Sequence, residues 1–101
     1  MDCSGLVYSA YLQHNIALPR TSNDMAMHGE MISTKEAQPG DLIFFMTNGK
    51  SVVNHVGLII EVADDEIKFI HSSTSKGVII SSTLDDYYGK TFAQINRVLN
   101  Y

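Results

Sequence analysis

The sequence is poor in cysteine, proline, tryptophan and positive charge. Its 101 residues include one cysteine, two prolines and no tryptophan, with 7 Lys and Arg against 11 Asp and Glu. A single cysteine excludes an intrachain disulfide and a zinc site built from several cysteines. The net charge of −4 argues against a nucleic-acid partner, because phosphate recognition relies on clustered Lys and Arg.

Long apolar runs are also missing. No stretch approaches the roughly 20 apolar residues that cross a bilayer, and no basic-then-apolar leader is present, so we expect no transmembrane segment in this chain. The length and a hydrophobic fraction of 45% suit one domain with its own core. We therefore expect residues 1–101 to form a single domain.

Two helices are predicted in the first third of the chain. Apolar residues recur at helical spacing after Cys3, which predicts a helix from Cys3 or Ser4 to near Asn15. A second, short helix is predicted to contain Met25 and Met27 as core residues. Thr21 or Ser22 would cap its first turn.

The second half of the sequence changes to the pattern of strands. Runs of β-branched and aromatic residues, separated by turn-forming residues, predict five strands in succession: Asp41–Thr47, His55–Val62, Glu66–His71, Gly77–Ser82 and Ala93–Leu99. Helices followed by strands indicate an α+β fold, with an antiparallel meander packed on the helices.

Cys3 lies where a thiolate would be stabilised. It stands at the predicted start of the first helix, where unpaired amide hydrogens and the helix dipole favour negative charge. A lone cysteine accompanied by histidines elsewhere is also typical of a thiol nucleophile, although a lone cysteine is often a small buried core residue. The position favours the functional interpretation.

His55 and His71 occur in neighbouring predicted strands, and the strand register decides whether they meet. A three-residue loop at 63–65 would place His71 opposite Gly57, with His55 a diagonal neighbour on the same face. A two-residue loop at 64–65 without a bulge would turn the two histidines to opposite faces of the sheet. Taken singly, each histidine could be a partly exposed residue at a strand end.

Five short motifs together resemble the NlpC family of cell-wall cysteine peptidases, also called the NlpC and p-sixty family. In chain order the motifs are Asp2-Cys3-Ser4-Gly5, Leu18-Pro19-Arg20-Thr21-Ser22, Pro39-Gly40-Asp41-Leu42, His55-Val56-Gly57-Leu58 and Ile70-His71-Ser72-Ser73. Any one of them is common, but all five follow the order of the family. The resemblance covers nearly the whole chain.

The resemblance implies a papain-like α+β fold and a peptidoglycan hydrolase. The implied substrate is the peptidoglycan stem peptide, most often cut between γ-D-glutamate and a diamino acid such as meso-diaminopimelate. No metal or organic cofactor is implied. The substrate class implies a location in the cell envelope. Family members carry a helix and a loop before the first motif, so we expect this chain to be truncated at its N-terminus relative to them, with any signal or lipid anchor upstream.

The resemblance also implies a role for particular residues. Cys3 would be the nucleophile, His55 the base, and His71 the residue that orients His55. Asp2 and Ser4 match residues that contact a free substrate amine in the relatives that require one.

Two further residues, Arg20 and Ser22, match positions that line the substrate groove in the family. The local alternative is that Asp2 caps the first helix and Ser22 the second.

Three alternatives remain open from the sequence. An amidase that cuts between the sugar and the peptide would have the same fold. A catalytically silent module could bind wall peptides or a protein partner through the same groove. A metal site formed by Cys3, His55 and His71 is conceivable, but a cysteine at a helix start explains the same residues more simply.

Overall fold

The computed structural model describes residues 2–73 and 75–98, and it confirms the predicted α+β class. The described elements are, in chain order, α1 (Cys3–Leu12), α2 (Ser22–Met25), β1 (Glu30–Ile32), a 3₁₀ turn (Thr34–Glu36), β2 (Leu42–Phe45), β3 (His55–Val62), β4 (Ile67–Ser73), β5 (Gly77–Ser82), α3 (Asp86–Thr91) and β6 (Phe92–Arg97). The described strands form one antiparallel sheet of six, in the order β1-β6-β2-β3-β4-β5.

The first helix begins at Cys3, as predicted, because Asp2 caps it. The Asp2 carboxylate accepts a hydrogen bond from the Gly5 amide at 2.7 Å. The helix ends at Leu12, three residues before the predicted end, and Asn15 adopts a left-handed φ of 62°. Val7 and Tyr11 bury one face of α1 against the sheet.

The second helix is shorter than predicted, and Thr21 caps it instead of Ser22. The Thr21 hydroxyl accepts from the Asp24 amide at 3.2 Å, and α2 ends at Met25. Met25 is fully buried, as expected for a core residue. Met27 is 74% exposed, so the prediction that it belongs to the core is wrong, because the helix ends before reaching it.

Five strands were predicted and six are present in the described ranges. Strands β2 to β5 are consecutive antiparallel neighbours, which confirms the meander for this part of the sheet. The prediction failed for the last strand, which returns to pair with β2 instead of continuing beside β5. The predicted end of that strand, Leu99, lies outside the described residues.

The return of β6 to β2 has two physical causes. All four residues of β2 are buried, so an unpaired edge there would leave backbone groups without hydrogen-bond partners. Arg97, at the end of β6, also donates two hydrogen bonds to the buried carboxylate of Asp41 just before β2, at 3.0 and 2.9 Å. This ion pair ties the start of β2 to the end of β6.

Two elements were missed by the sequence pattern. Strand β1 has three mostly exposed residues, and it forms through its pairing with β6. Helix α3 begins at an aspartate pair that resembles a turn former, where the Asp85 carboxylate accepts from the Tyr87 amide at 2.9 Å. Neither segment has an apolar periodicity long enough to stand out from a loop.

The sheet carries a buried apolar cluster on each face. The cluster on the face of α1 includes Val7, Tyr11, Leu42, Phe44 and Val56. The cluster on the opposite face includes Ile43, Phe45, Ile59, Phe69 and Ile95. Alternating side chains of β2 therefore contribute to both clusters, which explains why β2 is apolar at every position.

A β-bulge in the β3–β4 hairpin decides the register. The turn closes through a hydrogen bond from the Ala63 amide to the Glu66 carbonyl at 2.8 Å, and Val62 pairs with Ile67. This tight turn creates the register that was predicted to separate the two histidines. The register then shifts at Ile60, which is left as an extra residue between paired neighbours.

The bulge restores the register that brings the histidines to one face. Beyond it, Ile59 pairs with Phe69 and Leu58 with Ile70, so the ladder continues toward Gly57 opposite His71. A methyl group built on Gly57 would lie 2.8 Å from a ring carbon of Phe69 and 3.4 Å from the Cβ of His71. Glycine is required at this position because Phe69 and His71 of the neighbouring strand β4 occupy the space that a side chain would need.

We expect Gly57→Ala to destabilise the protein by about 1–3 kcal/mol, because the new methyl group would overpack against the buried Phe69 ring. Urea denaturation gives the change in unfolding free energy, and NMR of the imidazole rings reports on His55 and His71. Gly49→Ala is the control, since its methyl group would contact nothing within 4 Å. Gly49→Ala places alanine in a left-handed backbone conformation, which lowers the unfolding free energy by about 1–2 kcal/mol, and it leaves the histidine signals unchanged. Unchanged stability and unchanged histidine signals in Gly57→Ala would contradict the packing argument.

Candidate active site

The Cys3 thiol lies at the first residue of α1, at the mouth of a cleft. Its Sγ is 4.0 Å from the Asn54 carbonyl oxygen, and the residue is half-buried. Asn54 directly precedes His55, so the start of β3 lies against the start of α1. The amides of Cys3 and Ser4 belong to the first helical turn and have no acceptor within the helix. Partial positive charge therefore surrounds the sulfur.

Asp2, Ser4 and Arg20 form a connected group beside Cys3. The Arg20 guanidinium donates to the Ser4 hydroxyl at 2.8 Å and to the Asp2 carboxylate at 3.1 Å. The hydrogen bond from the Gly5 amide lowers the pKa of Asp2; burial opposes this change, and the hydrogen bond and charge of Arg20 add to the lowering. The Asp2–Arg20 pair is more than half exposed, so its contribution to stability is small.

Ser22 is separate from this group. It is buried in the first turn of α2 and lies outside the residues that line the cleft of Cys3. Of the four residues predicted to contact substrate, Asp2 lines that cleft. Arg20 is next to the cleft because it donates to Asp2, and Ser4 is connected to it through its hydrogen bond from Arg20.

His55 and His71 are in direct contact. The Nε2 of His55 is 2.8 Å from the Nδ1 of His71, and the two rings are perpendicular with centroids 4.9 Å apart. His55 stands at the first position of β3, and His71 is fully buried in β4. The structure therefore brings the two predicted histidines together.

Burial keeps both imidazoles neutral. Loss of solvent lowers the pKa of His55, and loss of solvent together with the charge of His55 lowers the pKa of His71 to about 4. A low dielectric disfavours the charged form of each ring. His71 is therefore a neutral hydrogen-bonding partner for His55 near pH 7.

Ser81 and Tyr88 complete the surroundings of the histidines, and sequence reasoning did not identify their contacts. The second ring nitrogen of His71, Nε2, is 2.8 Å from the Ser81 hydroxyl. The Tyr88 ring meets His71 edge-on at 5.1 Å and lies nearly parallel to His55 at 6.3 Å. In the β4–β5 ladder Phe69 pairs with Ser81, and His71 is two residues beyond Phe69, so Ser81 is a diagonal neighbour of His71 on the same face. Prediction of this register from the sequence would have placed the two residues together.

Cys3 and His55 share one cleft of 360 Å³. The cleft is formed by the start of α1, the loop between β2 and β3, the end of β4 and helix α3, and its lining residues are Asp2, Cys3, Thr47, Asn48, Asn54, His55, Ser72, Ser73, Tyr87 and Tyr88. His71 lies behind His55. The arrangement can hold an extended ligand in a cleft that both Cys3 and His55 line.

No group of three metal-binding side chains is present in ranges 2–73 and 75–98. Within the same ranges, none of the helices has the length and apolar character needed to cross a membrane.

The buried histidines predict a loss of stability in acid. Because the pKa of folded His71 is about 4 and that of an unfolded histidine is about 6.5, the unfolded chain takes up the proton first as the pH falls. The stability that neutral His71 contributes is fully present above about pH 6.5. It decreases by up to about 3 kcal/mol as the pH falls toward 4, and His55 acts in the same direction.

Urea unfolding at about pH 7 and about pH 4.5 measures this change. We expect His71→Gln to flatten the pH dependence. The exposed His14 provides the control, since His14→Gln removes a histidine from the protein surface and leaves the pH dependence intact. If the unfolding free energy depended equally on pH in wild type and in His71→Gln, the loss of stability in acid could not be attributed to His71.

Comparisons with known proteins give one consistent result. A sequence model of the NlpC/P60 family matches residues 1–97. The chain is 37% identical over 99 residues to a protein of Haemophilus influenzae described as a probable endopeptidase, covering 97% of this chain and 59% of that protein. It is 36% identical over 101 residues to the murein DD-endopeptidase MepS/murein LD-carboxypeptidase of Escherichia coli, covering 99% and 50%.

Solved structures agree with the sequence relatives. An NlpC/P60 family protein from Bacillus cereus superimposes with a TM-score of 0.82 at 32% identity, covering 96% of this chain and 31% of that one. RipD of Mycobacterium tuberculosis, described as a non-catalytic NlpC/p60 domain protein adapted to peptidoglycan binding, gives 0.72 at 26% identity, covering 98% and 67%. The chain spans about half the length of the curated relatives it matches. The match along residues 1–97 and the shared fold show that this chain belongs to the NlpC/P60 family.

Proposed function

We propose that the protein is a peptidoglycan hydrolase that cuts stem peptides with Cys3 as the nucleophile. The observation that carries this proposal is that Cys3 and His55 line one cleft while His71 holds the far nitrogen of His55 at 2.8 Å. A nucleophile, a base and an orienting group in this relation are the parts that covalent catalysis requires. The relatives described as endopeptidases support the same activity.

The hydrogen bond to His71 supports a different role for each nitrogen of His55. Its Nε2 is occupied by His71, which leaves Nδ1 for the proton of the Cys3 thiol. The thiolate then attacks the carbonyl carbon of the scissile bond, and electrons move to the carbonyl oxygen. When the carbon–nitrogen bond breaks, His55 gives its proton to the departing amine.

Hydrolysis of the resulting thioester reverses these proton movements. His55 takes a proton from water, the hydroxide attacks the acyl carbon, and the thiol leaves with the proton held by His55. The negative oxygen formed in each step needs hydrogen-bond donors. The free amides in the first turn of α1, led by that of Cys3, are the donors this chain offers.

The chemistry of the cleft suits a polar peptide. Asp2 provides a carboxylate, positioned by Arg20, and Tyr87 and Asn48 also line the cleft, with 3.5 Å between the phenol and amide oxygens. We assign Asp2 to a cationic group of the substrate, such as an amine. Arg20 holds Asp2 in place and also donates to the Ser4 hydroxyl. Ser22 is buried outside the cleft, so we assign it no direct contact with the substrate.

We further propose that the bond cut is the one between γ-D-glutamate and a diamino acid, the bond implied by the family resemblance. The relative named as a murein DD-endopeptidase makes a D,D-peptide bond of murein an alternative. An amidase would instead release the intact stem peptide from the sugar. A substrate of this kind places the site of action in the cell envelope.

Digestion of purified peptidoglycan tests the proposal, with product masses identifying the bond. We expect wild type to release peptide fragments and Cys3→Ala to lose at least about 1,000-fold of the rate, because it removes the nucleophile. His14→Ala, a change at an exposed site away from the cleft, serves as the control and retains activity. Cleavage that persists in Cys3→Ala would refute the role of the cysteine, and intact stem peptides among the products would indicate an amidase.

The second candidate function is peptidoglycan binding without cleavage. The similarity to RipD, a non-catalytic protein of the same fold, favours keeping this candidate. A binding module needs the cleft but does not need an activated thiol. The reactivity of Cys3 therefore separates the two functions.

We expect iodoacetamide to alkylate Cys3 at about pH 6 much faster than it alkylates an ordinary thiol, whose pKa is about 8.5. The reason is that the helix N-terminus stabilises the thiolate and the neutral His55 can accept the thiol proton as the thiolate forms. Alkylation measured by mass spectrometry at several pH values gives the rate. His55→Ala should lower the rate at pH 6, whereas His14→Ala should leave it unchanged. A wild-type rate no higher than that of a free thiol would favour the binding module.

A further inference from the structure

The Ser81 hydroxyl occupies the second nitrogen of a fully buried histidine. Ser81 lies on β5 opposite Phe69, and its oxygen is 2.8 Å from Nε2 of His71. The other nitrogen of His71 contacts His55 at the same distance. A continuous line of hydrogen bonds therefore runs from the cleft through His55 and His71 to the serine at the edge strand.

The direction of the hydrogens along this line matters for His55. When His55 holds the thiol proton, both of its nitrogens carry hydrogen, so its Nε2 must donate to a bare Nδ1 of His71. A neutral His71 then carries its single hydrogen on Nε2. That hydrogen needs an acceptor, because a buried donor without a partner costs about 1–3 kcal/mol. The Ser81 oxygen is the acceptor in contact with it.

Tyr88 covers the same part of His71. Its ring packs edge-on against the His71 ring, with the two ring centroids 5.1 Å apart, and excludes water from this side. The Ser81 oxygen therefore lies within hydrogen-bond distance of Nε2 in a part of the protein that is shielded from solvent.

We propose that Ser81 is a positioning residue that holds His71 in the tautomer with hydrogen on Nε2, so that His71 always accepts from His55. This inference rests on the proposed role of His55 as the base. Without the serine, the bare and protonated nitrogens of His71 can exchange, and the Nδ1–H form would point a hydrogen at His55 Nε2. In that form His55 cannot become doubly protonated without losing its partner.

The tautomer can be measured directly and without a substrate. Nitrogen-15 NMR of the imidazoles distinguishes a ring nitrogen that carries hydrogen from one that does not. We expect wild-type His71 to show a single form, with hydrogen on Nε2 and bare Nδ1, at about pH 7. We expect Ser81→Ala to show a substantial population of the Nδ1–H form.

We expect kcat to decrease when the Nε2–H form of His71 becomes less populated. Second partners of histidines that bind metals typically contribute roughly 10–100-fold to activity, and we expect Ser81→Ala to lower kcat by a similar factor on a soluble stem peptide with little change in KM. Alkylation of Cys3 at about pH 6 should slow in parallel. Ser81→Thr keeps the hydroxyl and should restore the single tautomer and most of kcat. Ser82→Ala is the control, because this neighbouring hydroxyl donates to Glu66 and does not contact His71.

The outcomes separate this inference from the proposed function. Wild-type His71 with hydrogen on Nδ1, or an unchanged tautomer in folded Ser81→Ala, would overturn the inference. The wild-type measurement decides the first of these points even where the alanine variant does not fold. A predicted tautomer in a protein that cuts no peptidoglycan would instead support the role of Ser81 and reject the hydrolase.

Discussion

The site depends on the hydrogen bond between His55 and His71, and that bond depends on one extra residue in strand β3. The turn of the β3–β4 hairpin, closed between Ala63 and Glu66, begins the ladder in a register that would turn the two histidines to opposite faces. Because side chains alternate along a strand, only a shift of one residue can reverse this. The bulge at Ile60 supplies the shift. Such bulges are common next to functional sites, where they redirect a side chain.

Once the register is set, burial gives the pair its chemical character. Phe69 and Tyr88 pack against His71, and Phe45 and Tyr88 lie beside His55. This aromatic surrounding lowers the pKa of both histidines, so they meet as neutral rings joined by a hydrogen bond and not as two repelling cations. In the proposed mechanism a neutral partner is sufficient to orient His55, since a thiol is more acidic than a serine hydroxyl and needs less help from a carboxylate.

The other half of the site comes from the start of α1. Asp2 accepts from the Gly5 amide, which leaves the Cys3 amide without an acceptor in the helix at a residue that lines the cleft. The same carboxylate binds Arg20, so the helix cap and the polar edge of the cleft share one residue. Helix capping and substrate contact, which were alternative interpretations of Asp2, are therefore compatible. Packing of α1 on β3 and β4 then holds this helix start beside His55.

What the sequence determined by itself was local. The start of α1 at Cys3 follows from the Asp2 cap, and the strands β2 to β5 follow from apolar patterns within a few residues. The α+β class and the family motifs rest on such local signals, as does the prediction that Cys3, His55 and His71 are the catalytic residues.

The tertiary structure decided whatever depends on pairing between distant segments. The bulge at Ile60, the return of β6 to β2 and the contact of Ser81 with His71 each result from which strands pair and in what register. Short exposed segments such as β1 form only because a partner strand provides hydrogen bonds. A one-residue change of register leaves local composition unaltered while it moves every side chain to the other face, so no local pattern could reveal whether His55 and His71 would meet.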